Sequence, residues 1–195
     1  MIERFAPQQQ AVRLSALDPQ ALAAAGLEGV VLDLDNTIAP WNSLEVPADI
    51  EQWVLRAKQA GLRLCMVSNS SKARRVRALA ERLGVPGLAK PFLKPWGSGY
   101  RWAAQALGTT PAATVAVGDQ LFTDIYGGNR AGMYTVLVEP LGRNEFVATK
   151  LARLAESLLR WLLRRRGLLK DLQAQGLEAA ASRPGTEQVG EKATR

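Results

Sequence analysis

Short apolar runs alternate with helix-forming segments along most of the chain. The apolar runs are GVVL, LRLCMV, TVAVG and YTVLV, and their lengths are typical of strands that are buried on both faces of a sheet. Helical spacing is found between these runs, over about 46–60, 72–83 and 97–107, and again up to about 131. The repetition of strand and helix predicts an α/β fold with right-handed crossovers and a doubly wound, mostly parallel, Rossmann-like sheet.

Changes in these patterns divide the chain into four segments. We predict an N-terminal helical leader over residues 1–26, whose helix is introduced by an Asp-Pro pair, and an α/β core over residues 27–144. Residues 145–170 are predicted to form a basic amphipathic helix. Residues 171–195 are rich in Ala, Gly, Gln and Glu without periodicity, which predicts a disordered tail.

Polar clusters follow the predicted strands of the core. DLDNT follows GVVL, SNSS follows LRLCMV, and GDQLFTD follows TVAV. Lys94 follows a shorter predicted strand near 87–90. In an open parallel sheet the carboxyl ends of the strands share one edge, and ligands bind outside that edge. We therefore expect the functional site there.

Four aspartates stand out in these clusters. Asp33 and Asp35 are two positions apart after the first core strand, and Asp119 and Asp124 follow TVAV. Neighbouring carboxylates repel each other, and their burial is costly unless a cation or a proton compensates. Oxygen ligands suit a hard divalent ion, so the sequence predicts Mg²⁺ as a cofactor.

Positive and hydrogen-bonding groups accompany these acids. Lys94 supplies a compact charge that is able to contact both a nucleophile and a phosphate. Ser68 and Asn69 precede a predicted helix, where a hydroxyl, an amide and backbone N–H groups favour phosphate binding. A carboxylate nucleophile, a metal ion, a lysine and a helix N-terminus are together the parts of phosphoryl transfer.

The composition removes several competing functions. The chain has no histidine, which excludes Ser-His-Asp and Cys-His catalysis and any histidine-ligated metal. Cys65 is the only cysteine, so an internal disulfide is excluded, and its apolar neighbours predict a buried thiol. Because we find neither a secretory signal nor a run of about 18 apolar residues, the expected location is cytoplasmic.

Four motifs in a fixed order extend this interpretation. DLDNT, VSNSS, a Lys-Pro pair and VGDQLFTDI, taken as an ordered set, resemble the four motifs of the haloacid dehalogenase (HAD) superfamily. The longer stretches DLDNTIAPWN, SNSSKARRV and GDQLFTDIYGGNRAGMYTVLV resemble the YqeG branch of subclass IIIA, whose eukaryotic relatives include mitochondrial phosphatidylglycerophosphate phosphatase. The resemblance covers roughly residues 1–145.

The resemblance implies a role for each matching residue of the first three motifs. Asp33 matches the nucleophile, whose other oxygen binds Mg²⁺. Asp35 matches the general acid and base, with its backbone carbonyl on the metal. Ser68 matches the phosphate-binding residue of the second motif, and Lys94 matches the lysine of the third.

The fourth motif supplies the remaining implied metal contacts. Asp119 matches the direct metal ligand, and Asp124 matches an acidic partner that reaches the metal directly or through water. Gly118 is expected to leave space for this loop. Asn129 and Arg130, which match the GGNR of the family, are expected to make structural hydrogen bonds and not to act in catalysis. The whole set implies a Mg²⁺-dependent phosphatase that passes through a phospho-aspartate at Asp33.

The short spacing between the first two motifs bears on the substrate. Only one loop and one helix fit between Asp35 and Ser68, so we predict a capless enzyme with an open site. In the loop IAPWNSLEVP, Trp41 either contacts the substrate or covers the core. The resemblance implies phosphatidylglycerophosphate, an anionic phospholipid, as the leading substrate. A phosphatase of a soluble phosphomonoester and a non-catalytic binding or regulatory module are the alternatives.

Positive charge is concentrated in the predicted basic helix. The chain has a formal net charge of +7, and residues 145–170 hold seven Lys or Arg against two Glu, a net +5. Helical spacing gives an apolar arc of Val147, Leu151, Leu154, Leu158, Trp161 and Leu162, and a polar stripe of Lys150, Arg153, Glu156, Arg160 and Arg164. We expect the start of the helix to pack on the core and residues 158–169 to contact the inner face of a membrane, with a nucleic-acid contact ranked last.

Overall fold

Six parallel strands form one open sheet in the computed structural model, which describes residues 2–69, 72–89, 94–96, 98–142 and 150–170. The strands are β1 (Gln9–Ala11), β2 (Gly29–Leu32), β3 (Arg63–Ser68), β4 (Gly87–Ala89), β5 (Thr114–Gly118) and β6 (Tyr134–Val138). Their order across the sheet is β1-β6-β5-β2-β3-β4, and each neighbouring pair is parallel. The predicted doubly wound α/β fold is confirmed.

Helices connect the strands in the order that the sequence predicts. They are α1 (Pro19–Ala24), α2 (Ala48–Gln59), α3 (Ala73–Leu83), α4 (Ser98–Leu107), α5 (Tyr126–Ala131) and α6 (Lys150–Arg165), with a π-helical turn at Leu121–Ile125. The Asp18 side chain caps α1 by accepting the Gln20 N–H group at 3.0 Å, and Pro19 occupies the first helical position. Within the described ranges, no helix combines the length and the apolarity that a membrane span requires.

The N-terminal segment contains an edge strand that the sequence analysis does not predict. Strand β1 pairs with β6, with Gln9 opposite Val136 and Ala11 opposite Val138. Its two glutamines are not buried, and only Ala11 faces the core, so β1 lacks the apolar run that marks the inner strands. The predicted helical leader therefore carries α1 and one strand of the sheet.

Successive side chains of a strand point to opposite faces of the sheet, so each inner strand contributes to two apolar clusters, one on each face. Val30 of β2 packs in one cluster with the fully buried Trp53 of α2. Val31 packs in the opposite cluster with Cys65 of β3 and Tyr100 of α4. Burial raises the pKa of the Cys65 thiol to about 12, in agreement with the predicted buried cysteine.

Helix α6 packs on the loop that follows β5. Its Leu159 and Leu163 are buried in a small apolar cluster, which also contains Leu121, Ile125, Leu137 and Leu169. Leu159 and Leu163, together with Glu156 and Arg160 of the same helix, form a stripe that we call the inner face of α6. Residues 145–149 of the predicted basic helix and the predicted tail, 171–195, lie outside the described residues.

The packing predicted for the start of α6 is wrong for Leu154. Leu154, Leu158 and Trp161 are 65%, 53% and 49% exposed, so the expected packing at the start of the helix fails for Leu154. These three residues form the outer face of α6. The physical reason is that Glu156 and Arg160 bind backbone groups of the loop after β5, which turns the supposed polar stripe inward.

Candidate active site

The carboxyl ends of β2 and β5 bring Asp33 and Asp119 together. These strands are neighbours in the sheet, with Leu32 opposite Val117. Asp33 directly follows β2, and its backbone N–H group donates to the Val117 carbonyl at 2.9 Å, which continues the strand pairing. Asp119 directly follows β5. Both residues therefore lie at the edge where the sequence predicts a site.

Asp124 completes a buried acidic cluster. One carboxylate oxygen from each of Asp33, Asp119 and Asp124 lies within 4.8 Å of the others. Three of the four predicted metal-binding aspartates are thus brought together by their side chains. The carboxylate of Asp35 pairs elsewhere, and the metal contact implied for that residue uses its backbone carbonyl.

Lys94 joins two of these carboxylates. Its Nζ donates to Asp33 Oδ1 and, at 2.7 Å, to Asp124 Oδ1, and the lysine side chain is only 3% exposed. The predicted convergence of the third motif with the first and fourth is therefore present in the geometry. The contact fixes one oxygen of Asp33 and leaves the other for a different partner.

The second motif lies beside this lysine. Ser68 is the last residue of β3 and is buried next to β2. The Asn69 side chain makes two hydrogen bonds to the Lys94 backbone: its Oδ1 accepts from the N–H group at 2.8 Å, and its Nδ2 donates to the carbonyl at 3.1 Å. Asn69, predicted as a phosphate ligand, thus holds the lysine segment in place with its side-chain amide.

Burial perturbs the ionisation of the cluster. It raises the pKa of the Asp33 carboxyl to about 7, although Lys94 acts in the opposite direction. Burial and the neighbouring Asp33 raise the pKa of Asp119 well above its usual range. Burial alone would lower the pKa of Lys94, but Asp124 and Asp33 raise it well above its ordinary value, so the lysine is a cation.

The cluster retains acceptor atoms that have no donor. Among the described residues, no donor reaches Asp33 Oδ2 or either side-chain oxygen of Asp119. Buried carboxylate oxygens without partners are costly, and a hard divalent cation with oxygen ligands would satisfy them. The donor set therefore fits Mg²⁺, with Asp33 and Asp119 as the side-chain ligands.

Asp35 is held by an arginine that the sequence analysis missed. Arg75, a buried residue of α3, donates from Nη1 to Asp35 Oδ1 at 2.7 Å. The same guanidinium donates from Nε to the Ser43 carbonyl at 2.9 Å and from Nη2 to the Pro40 carbonyl at 3.3 Å. One side chain thus fixes both the Asp35 carboxylate and the loop after β2. Its only signal in the sequence is its place in SNSSKARRV.

That loop is held at a second point. Lys72 donates from Nζ to Asn42 Oδ1 at 2.6 Å, one turn of α3 before Arg75. The Trp41 backbone N–H group donates to Asn36 Oδ1 at 3.1 Å, and the Trp41 ring is partly exposed. The partial exposure is consistent with both predicted roles of this tryptophan, as a substrate contact and as a cover for the core.

Both carboxylate oxygens of Asp124 accept hydrogen bonds from protein donors. Its Oδ1 accepts from Lys94 and, at 3.3 Å, from the Tyr100 hydroxyl, and its Oδ2 accepts the Gln120 N–H group at 3.1 Å. Tyr100 is a second contact that the sequence analysis missed. A Cβ atom at Gly118 would overlap the Asp124 carboxylate, which agrees with the expectation that this glycine leaves space for the loop.

Asn129 ties the N-terminal segment to the sheet, as the predicted structural role requires. Its Nδ2 donates to the carbonyls of Arg4 and Ala6 at 2.8 and 2.9 Å, and its Oδ1 accepts from Thr135 Oγ1 at 2.9 Å. The neighbouring Arg130 lies with its guanidinium carbon 5.8 Å from the centre of a Trp96 ring. Neither residue contacts the acidic cluster in the described hydrogen bonds.

Comparison with known proteins identifies the family. The sequence pattern of the haloacid dehalogenase-like hydrolases matches residues 4–132, which include all four motifs. The chain belongs to this family. It is 31% identical over 163 residues to "Probable phosphatase YqeG" of Bacillus subtilis (strain 168), an alignment that covers 84% of this chain and 94% of that protein. The predicted HAD-type phosphomonoester hydrolase of the YqeG type is confirmed.

Two further relatives extend the comparison. The chain is 35% identical over 166 residues to phosphatidylglycerophosphate phosphatase 1, chloroplastic/mitochondrial, of Arabidopsis thaliana, which covers 80% of this chain and 47% of that protein. A crystal structure of an uncharacterized protein from Listeria monocytogenes serotype 4b superposes with a TM-score of 0.50 at 20% identity, covering 71% of this chain and 99% of that one. The structural likeness supports the fold.

Proposed function

We propose that this HAD phosphatase uses Mg²⁺ and forms a phospho-aspartate at Asp33, with phosphatidylglycerophosphate as its leading substrate. The observation that carries the chemistry is the buried contact of Lys94 with Asp33, beside an Asp119 carboxylate whose oxygens have no donor within the described residues. Bound Mg²⁺ would neutralise the cluster and the charge of the phosphate.

In the first half-reaction a carboxylate oxygen of Asp33 attacks phosphorus, and the bond from phosphorus to the substrate alcohol breaks. Lys94 orients the Asp33 carboxylate and offers positive charge to the phosphoryl oxygens. The leaving alkoxide takes a proton from Asp35 and departs as the alcohol. In the second half-reaction Asp35 accepts a proton from water, the water oxygen attacks phosphorus, and Asp33 is released with inorganic phosphate.

The open site favours a large substrate. Between Asp35 and Ser68 the structure contains the loop after β2, helix α2 and strand β3, and no cap domain is inserted there. A phosphate at the end of a lipid headgroup would therefore reach the acidic cluster from the edge of the sheet. The named substrate of the Arabidopsis thaliana relative is the reason to place phosphatidylglycerophosphate first.

The outer face of α6 supports contact with an anionic membrane. Leu154, Leu158 and Trp161 are exposed there, and the Arg165 guanidinium lies 4.7 Å from the Trp161 ring centre. The exposed arginines 164–166 follow on the same helix end. Each such cation contributes about 1 kcal/mol near an anionic surface, and the apolar side chains add burial at the headgroup boundary.

The test is phosphate release from three substrates with Mg²⁺ present: phosphatidylglycerophosphate, phosphatidic acid and p-nitrophenyl phosphate. Preference for phosphatidylglycerophosphate supports the proposal, and equal or better turnover of the soluble ester would favour the alternative substrate class. Asp33→Asn should abolish release, whereas Asp18→Asn, which keeps a good N-cap, serves as the control.

The intermediate has its own test. Asp35→Asn removes the base for water attack, whereas p-nitrophenyl phosphate has a leaving group that needs no proton from Asp35. Mass spectrometry of samples quenched with this substrate should therefore detect a phosphorylated peptide that contains Asp33. Beryllofluoride, a phosphoryl mimic, should bind the wild type at Asp33 in the presence of Mg²⁺. Turnover without any aspartyl adduct under either condition would favour direct attack by water on the substrate.

A further inference from the structure

The inner face of α6 reaches the loop that carries two aspartates of the site. This helix lies beyond the family match, which ends at residue 132. Leu159 and Leu163 seat it on the apolar side chains of the π-helical turn. Helix α6 therefore contacts the part of the chain between Asp119 and Asp124, although no family motif includes it.

Arg160 fixes the beginning of this loop. Its Nη2 donates to the backbone carbonyl of Asp119 at 2.9 Å, and its Nε lies 3.5 Å from Glu156 Oε1. A charge-assisted hydrogen bond to that carbonyl restricts rotation of the peptide that joins Asp119 to Gln120. The bond thereby restricts the direction in which the Asp119 carboxylate leaves the backbone.

Glu156 fixes the start of the π-helical turn. Its Oε1 accepts the Leu121 N–H group at 2.9 Å, one of the backbone donors that a helical turn cannot satisfy within itself. The turn then presents Asp124, whose Oδ2 accepts the Gln120 N–H group at 3.1 Å. The ion pair of Glu156 and Arg160 thus hydrogen-bonds both the Asp119 carbonyl and the Leu121 N–H group of the same short loop.

We propose that Glu156 and Arg160 are positioning residues that set the affinity of the acidic cluster for its divalent cation. The inference rests on the proposed metal-dependent function and goes beyond it, because it assigns part of the metal site to a helix outside the HAD motifs. Groups that hydrogen-bond and orient a metal ligand typically contribute about 10- to 100-fold in metal affinity or activity.

The contacts of the pair are separate from those that hold Asp124 Oδ1. Lys94 and Tyr100 donate to that oxygen, and neither touches the Asp119 carbonyl in the described hydrogen bonds. Loss of Arg160 therefore leaves the Lys94 and Tyr100 contacts of Asp124 in place and removes the hydrogen bond to the Asp119 carbonyl. A cation held by the Asp119 carboxylate should then be bound more weakly.

The experiment is Mg²⁺ titration of the full chain by isothermal calorimetry without substrate. Arg160→Met should weaken Mg²⁺ binding by about 10- to 100-fold, and Arg160→Lys, which keeps a cationic donor, should recover part of it. Glu156→Leu should weaken binding, and Glu156→Gln, which keeps the acceptor, should retain most of what Glu156→Leu loses. Arg101→Met on the exposed face of α4 is the charge-matched control.

Kinetics add a second readout. If the pair orients the metal ligand, the Arg160→Met variant should need more Mg²⁺ for half-maximal phosphate release and keep most of its kcat at saturating Mg²⁺. Mg²⁺ affinity in Arg160→Met and Glu156→Leu within twofold of the wild type would overturn the inference and leave the proposed function standing. A wild type that binds no Mg²⁺ would overturn both.

Discussion

Replacement of Asp119 by Asn should change the stability of the protein in opposite directions in the absence and in the presence of a divalent metal ion. Asp119 is buried, both of its carboxylate oxygens lack donors among the described residues, and it belongs to a cluster with Asp33 and Asp124. Asparagine has nearly the same shape and removes one negative charge. In the absence of metal we therefore expect Asp119→Asn to be more stable than the wild type, because one unpaired buried charge is gone.

The magnitude, about 1–3 kcal/mol, is the cost of a buried acceptor without a donor, which the asparagine amide can relieve by donating to a neighbouring carboxylate of the cluster. For a chain of this size, each kcal/mol shifts Tm by about 2–4 °C, so the gain in the variant should be on the order of 5 °C. Mg²⁺ acts in the opposite sense. At a concentration of about 1,000 times Kd it should stabilise the wild type by about 4.1 kcal/mol, which exceeds the gain of the variant, and the variant should lose most of this metal-dependent stabilisation.

Thermal unfolding followed by circular dichroism, with EDTA and with Mg²⁺, measures both effects. Glu81→Gln, which removes an exposed carboxylate of α3, controls for the change in net charge. The wild type should be the less stable protein in EDTA and the more stable protein in Mg²⁺. If Asp119→Asn were less stable than the wild type in EDTA, or gained as much from Mg²⁺, the reasoning about unpaired carboxylate oxygens would be refuted.

Three further substitutions test other parts of the site. Gly118→Ala should lower kcat/KM by on the order of 100-fold at unchanged secondary structure, because its Cβ displaces the Asp124 carboxylate; normal activity would contradict the tight contact. Arg75→Met should destabilise the protein by about 3–5 kcal/mol in urea unfolding, because it leaves the Asp35 carboxylate buried without its partner; a change within error would show that water replaces the guanidinium. Trp161→Ser should reduce co-sedimentation with anionic liposomes at low salt; equal binding of both proteins would remove the outer face of α6 from the membrane contact.

The sequence predicts the part of the site that depends on strand ends. Asp33 and Asp119 each follow an apolar run, and parallel strands place their carboxyl ends at one edge whatever the loops do. Lys94 is predictable because it also follows a strand and because it lies between the second and the fourth motif. Residues of this kind can be predicted because the position and the direction of the parallel strands are enough to place them at the carboxyl edge of the sheet.

Residues that reach the site from helix faces are not predictable in this way. Arg75, Tyr100 and Arg160 lie on helices whose rotation about their axes is decided by tertiary contacts. In α6 the apolar arc suggests one rotation of the helix about its axis. The observed rotation is a different one, because Glu156 accepts the Leu121 N–H group and Arg160 donates to the Asp119 carbonyl. Strand β1 is not predictable from the sequence, because two of its three residues are glutamines and an edge strand of this kind has no apolar pattern.

The charges of the cluster predict the order in which a divalent cation and a phosphate would bind. Asp33, Asp119 and Asp124 face the single ammonium group of Lys94, so with all four groups ionised the cluster is negative. A phosphate monoester is itself an anion, and repulsion at these separations in a buried site is far stronger than in water. A divalent cation held by Asp33 and Asp119 would remove that excess negative charge, and Lys94, which donates to Asp33 and Asp124, would add positive charge for the phosphoryl group. Because the pKa values of Asp33 and Asp119 are raised, protons compete with the cation for this cluster, and we expect ordered binding, cation before phosphate, to be clearest above neutral pH, where both carboxyls lose their protons more readily.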